Sequence, residues 1–211
     1  MSEKTKKIKN IIKEHILNNS REYIIVTLIF IIGIFLGVLF VNNINETQRT
    51  DITTYFNSFI EKTKNTENID NLELVKTSIV QNVLLAITLW FFGTTVIGIP
   101  IVFGIVLYRG FCLGYTIAIC TSIMGLSKGL LFVILSLLFQ NIIFIPAILA
   151  LAVSGFKLYK SIVKDNRREN VKLEVVRHTM FSVIMMLLLI IASLVEIFIS
   201  FSSLKSLSKY L

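Results

Sequence analysis

The chain predicts an all-α, polytopic membrane bundle of about five crossing helices, and three observations carry that prediction. Hydrophobic residues make up 55 % of the 211-residue chain, and its mean hydropathy is +0.78. Charged residues make up only 16 %, whereas soluble domains carry about a quarter. The apolar residues are gathered into five runs, most of them near or above the roughly 20 residues with which a helix crosses the hydrocarbon core. A chain of this length has room for one bundle, residues 23–211, and for no separate catalytic domain.

Residues 1–22 form a basic cytoplasmic segment with Lys4, Lys6, Lys7, Lys9, Lys13 and Arg21. Within it Ile8, Ile11, Ile12 and Ile16 make an apolar stripe suited to anionic lipid. The first run, Tyr23 to Val41, is too long for the core of a cleaved signal peptide. The Asn42-Asn43-Ile44-Asn45 stretch after it offers no small-residue cleavage site, so it reads as an uncleaved anchor. A polar segment, 42–77, follows. The second run, 79–108, is 30 residues long and holds Gly93, Gly98, Pro100 and Gly104, which predicts a kinked helix. The third, 111–126, has only 16 residues between Arg109 and Lys128, so a tilted, re-entrant or longer crossing stays open. The fourth, 129–156, carries no charge, and the fifth spans 179–201.

Loop charges orient the spans. Six basic residues precede the first run and seven lie in the loop 157–178; with Arg109, one face gathers 14 of the 21 Lys and Arg. By the positive-inside rule that face is cytoplasmic. Segment 42–77 holds four basic and six acidic residues and so lies outside, as does the C-terminus. The net charge of +8 therefore reads as topology and not as nucleic-acid binding.

Glycines spaced as GxxxG let helix backbones approach closely. Gly33 with Gly37, Gly110 with Gly114, and Gly125 with Gly129 have that spacing. They are candidates for packing within the bundle or for contact with another membrane protein. Asn82 near the outer end of the second run, and Gln140, Asn141 and Pro146 within the fourth, are intramembrane polar candidates. Amides there serve interhelical hydrogen bonds or a substrate path in which Pro146 unwinds the helix. Glu196 is the one acidic residue inside a run. It reads as solvated or lysine-paired, with a functional role as the alternative.

Catalytic material is sparse, which predicts a protein that is not an enzyme and uses no cofactor or metal. Neither HExxH, GxSxG nor a phosphate loop occurs. His15 and His178 fall in cytoplasmic segments. Cys112 and Cys120 share one helix about 12 Å apart, too far for a disulfide. In the outer segment Ile52, Tyr55, Phe56, Phe59 and Ile60 follow the spacing of one helical face. That face predicts a helix lying on the outer leaflet or receiving an extracytoplasmic partner. Tyr55, Phe56 and Phe59 are the partner-contact candidates.

Several of these residues together resemble the stage II sporulation protein M family: Asn82 and Phe92-Gly93, then Tyr108-Arg109-Gly110-Phe111 with Gly114, Gln140-Asn141 ahead of Ile145-Pro146-Ala147, and Gly155-Phe156-Lys157-Leu158. The motifs cover residues 79–162, and the span pattern covers the chain. Many members of the wider family have a His-Gly and a Glu where Gln140-Asn141 and Phe144 stand here, a departure that fits a scaffold better than metal or proton chemistry. The resemblance implies a multi-pass protein of the bacterial cell membrane, at the sporulation septum. There it implies a non-catalytic engulfment scaffold that gathers stage II sporulation proteins D and P for peptidoglycan remodelling; for such a scaffold, Gly33 and Gly37 and the helix around Phe56 and Phe59 are the expected partner contacts. The residues themselves leave open a small transporter or channel subunit built on Gln140, Asn141, Pro146 and Glu196.

Overall fold

The computed structural model describes residue 14 and residues 16–65, 71–164 and 168–196, and from Ser20 onward these form six helices with no strand among the described residues. They are α1 (Ser20–Asn42), α2 (Glu46–Asn65), α3 (Asn71–Gly93), α4 (Ile99–Met124), α5 (Leu126–Lys164) and α6 (Arg168–Val195). Five of them, all but α2, are long and apolar enough to cross a membrane. The surface agrees with that reading. Large apolar side chains such as Ile32, Phe35, Leu84, Phe91 and Leu187 point outward, whereas Asn82, His178 and Ser193 are buried. Apolar outside and polar inside is the arrangement that lipid, and not water, stabilises.

The register of the contacts gives the direction of each helix. Gly33 lies against Leu107 and Phe111, and Gly37 against Phe111 and Tyr115, so α1 and α4 run parallel. Asn82 meets Ser193 while Trp90 meets Thr179, so α3 and α6 are antiparallel. Gln140 meets Glu196 and Ser154 meets His178, which makes α5 and α6 antiparallel as well. Ser20 and Glu196 therefore stand at opposite ends of the bundle. Their common core contains Val26, Leu89, Val106, Leu151 and Leu189, each almost fully buried.

The second and third spans differ from their sequence boundaries. The chain breaks at Thr94–Gly98, not near Arg109, because Thr94 and Thr95 close a turn on carbonyls of Trp90, Phe91 and Phe92. Gly98 is packed so tightly there that a Cβ would overlap the Phe92 carbonyl oxygen. Pro100 then sits in the first turn of α4, where its missing N–H costs nothing. The second crossing thus ends at Gly93, and the third is a full helix, Ile99–Met124. The chain returns through Gly125, whose φ of 80° and ψ of 161° lie in a positive-φ extended region that essentially only glycine adopts.

Other boundaries also move. The basic loop 157–178 is mostly helix, since α5 continues to Lys164 and α6 begins at Arg168. The fifth crossing ends, within the described residues, at Val195, and 197–201 lie outside them. Residues 1–13 with their lysines and the Ile8, Ile11 and Ile12 stripe, and His15, also lie outside the described residues. Pro146 does not unwind α5, which runs unbroken from Leu126 to Lys164 with the proline on its exposed side.

Candidate functional site

On α3, Ser78 and Asn82 stand one turn apart on one face, and Ser193 of α6 and Glu196, immediately after its last residue, do the same. Packing α3 against α6 brings the two faces together. Asn82 Nδ2 donates to Ser193 Oγ at 2.7 Å, and Ser78 Oγ donates to the Glu196 carboxylate at 2.6 Å. From α5, Gln140 Nε2 donates to the same Glu196 oxygen at 2.8 Å. Glu196 is therefore held by a hydroxyl and an amide from two neighbouring helices, and no lysine pairs with it among the described residues. Asn141 behaves differently: its Nδ2 donates to Leu137 O of its own helix at 2.9 Å.

Ser78, Asn82, Gln140, Asn141 and Glu196 line one wall of a cavity of about 660 Å³. The opposite wall is the Arg109, Cys112, Thr116, Cys120 face of α4, and Tyr55 and Phe56 of α2 stand at its rim. Phe56 rests edge-on against Phe132 of α5, ring centroids 5.7 Å apart, and Ile52 packs against Val41, Ala118 and Ile119. The apolar face of α2 thus docks on its own bundle. Tyr55 remains 78 % exposed, while the side chain of Phe59 lies outside the described residues.

Arg109 is the residue that sequence patterning misplaced. It belongs to no loop: it lies on α4 at the level of Gly33, which is the middle of the Tyr23–Val41 run, because Gly33 fits between Leu107 and Phe111. Its guanidinium sits 5.4 Å from the centroid of Phe144, an aromatic face that attracts a cation. The ion pairs among the described residues lie elsewhere, Glu22 with Lys160 and Glu174 with Arg177. A signal did exist in the sequence. A 30-residue second run interrupted by Gly93, Gly98 and Pro100 divides more naturally at Gly98 than at Arg109.

The structure therefore brings together Asn82, Gln140, Asn141, Glu196, Tyr55 and Phe56 around one cavity. Pro146 and the GxxxG glycines stand apart from it. Gly33 and Gly37 meet Gly110 and Gly114 across the α1–α4 seam, where a Cβ at any of the four would overlap a main-chain carbonyl oxygen. They are consumed inside the chain and are not available to a partner. A second polar cluster went unread at the opposite end. His178 is buried in α6, with Nδ1 2.9 Å from Ser154 Oγ and Nε2 3.4 Å from Trp90 O, beneath the close approach of Gly93 and Gly155.

No group of three or more His, Cys, Asp or Glu side chains comes together among the described residues. Cys112 and Cys120 are free thiols. The family model for stage II sporulation protein M matches residues 26–201. No curated protein and no solved structure matches the chain.

Proposed function

The chain belongs to the stage II sporulation protein M family, a family of sporulation-related membrane proteins, and from that premise we propose that it is a non-catalytic scaffold for endospore engulfment. Its Ser20 end, with Lys160 and Arg177, faces the cytoplasm under the positive-inside rule. The cavity mouth and α2 then face outward, where the scaffold gathers the peptidoglycan-degrading stage II sporulation proteins D and P at the septum.

One observation carries the scaffold reading. The amphipathic helix α2 rests on the bundle through Ile52, Phe56 and the Arg49 Nη2 to Ser122 hydrogen bond of 2.6 Å, leaving a second face with Asp51, Tyr55 and Glu61 exposed. A helix that rests on the bundle by one face and is bare on the other offers a surface for a partner.

The test is a gene deletion complemented by the full chain or by a variant carrying Asp51→Lys and Tyr55→Ala. Cells are induced to sporulate and viewed with a membrane dye. Arrest after septation in the deletion strain, rescue by the parent chain and failure of the variant to retain proteins D and P on co-purification are expected. Normal engulfment in the deletion strain refutes the role, and full retention by the variant refutes the α2 surface.

A further inference from the structure

We propose that the cavity between α3, α4, α5 and α6 is an aqueous vestibule that holds an oxyanion, a carboxylate or a phosphate, at Arg109. Neither the scaffold role nor family membership requires such a site. A volume of about 660 Å³ lies within the range of ligand-binding cavities, and although apolar side chains supply most of its lining, Arg109, Glu196, Gln140 and Asn82 give water polar partners there.

The hydrogen-bond inventory selects the ligand class. Thr116 Oγ1 spends its proton on Cys112 O and Ser136 Oγ on Phe132 O. Gln140 Nε2 is committed to Glu196, and one Asn141 Nδ2 proton to Leu137 O. Tyr55, Thr77, Gln81 and Tyr115 add neutral donors to the lining, and Arg109 is the one cation among the described lining residues, with a guanidinium that carries five N–H groups. Its partner is the Phe144 ring, which satisfies charge but accepts no in-plane hydrogen bond. Among the described residues no carboxylate forms an ion pair with it. A planar fork of donors set at mid-depth matches the two oxygens of a carboxylate or phosphate. Glu196 lines the same cavity but makes no ion pair with Arg109, and one of its carboxylate oxygens accepts from both Ser78 and Gln140.

The chain carries its own probe. Cys112 lies on the cavity wall three residues beyond Arg109, about 5–6 Å away between Cβ atoms, and Cys120 is the chain's other thiol. In full-length Cys120→Ala protein reconstituted in phosphatidylcholine vesicles, Cys112 is titrated with a negatively charged and with a positively charged methanethiosulfonate. Labelling is expected with both reagents. The ratio of anionic to cationic rates is expected to fall about tenfold or more in Arg109→Gln and to hold in Arg109→Lys, with gel-filtration profiles confirming that both variants fold. Millimolar inorganic phosphate is expected to slow labelling of the parent and not of Arg109→Gln. Protection that instead requires phosphatidylglycerol in the vesicles identifies the oxyanion as a lipid headgroup. A Cys112 that stays inert until the protein is denatured overturns the vestibule. A rate ratio unmoved by Arg109→Gln, or no protection by either phosphate source, overturns the oxyanion site.

Discussion

The α1–α4 seam allows two alanine substitutions to be opposed inside one protein. At Gly33 a methyl group has no room, because its position overlaps the Leu107 carbonyl oxygen and reaches the Phe111 backbone. Both are main-chain atoms that cannot rotate away, so the helices must separate. A radial gap of about 0.5–1 Å forfeits a quarter to a half of each dispersion contact across the seam, and overpacking of this kind costs about 1–3 kcal/mol. Alanine gains about 1 kcal/mol over glycine in a helix interior, which leaves Gly33→Ala destabilised by up to about 2 kcal/mol after that gain. At Gly104, on α4, a methyl group meets nothing within 4 Å. Gly104→Ala keeps the propensity gain and is stabilised by about 0.5–1 kcal/mol. Unfolding followed by circular dichroism in mixed micelles titrated with a denaturing detergent measures both. Opposite signs are expected, and shifts of the same sign would falsify the assignment of Gly33 to a close helix contact.

Two further outcomes follow from the geometry. Glu196→Ala leaves Ser78 and Gln140 without their shared acceptor and should cost about 1–2 kcal/mol. A double-mutant cycle with Gln140→Ala should return a coupling of about 0.6 kcal/mol, and zero coupling would mean that the two side chains do not meet. Gly125→Ala forces a Cβ into the positive-φ extended region at φ 80° and ψ 161° and should cost about 1–3 kcal/mol in the same titration; an unchanged midpoint would place the α4–α5 turn in another conformation.

Span number and helical class were legible because they depend on additive hydrophobicity, which needs no knowledge of neighbours. The span boundaries at Gly98 and Arg109 were not. A charged residue next to an apolar run looks like a loop until its partner surface is known, and for Arg109 that surface is the ring of Phe144, 35 residues away in sequence. Glycine spacing announced close packing at Gly33, Gly37, Gly110 and Gly114, yet spacing does not say which helix is met. Glu196 shows the same limit. Its position near the end of a run suggested water, whereas its hydrogen bonds come from α3 and α5. His178, read as part of a basic loop, is buried because α6 begins ten residues earlier, at Arg168.

The glycine seam and the cavity are not independent features of α4. Successive residues of a helix are rotated by about 100°, so Gly110 and Gly114 occupy one side while Arg109, Cys112 and Thr116 fall on the other. Backbone contact with α1 along Phe30 and Ile34 fixes the rotation of α4 about its own axis. That rotation is what aims Arg109 into the cavity. Turned the other way, the guanidinium would meet lipid, at a cost of about 2.5–3.5 kcal/mol at mid-depth on insertion scales. Below the cavity, Leu85, Val102, Val106, Phe144 and Ile148 are packed into one core cluster, so the chamber opens toward the α2 end and is blind toward the other. A blind chamber with a fixed cation at its floor is suited to holding a group that enters from one side. A conduction path would need a second opening through that core, and such a core resists rearrangement because it is close-packed.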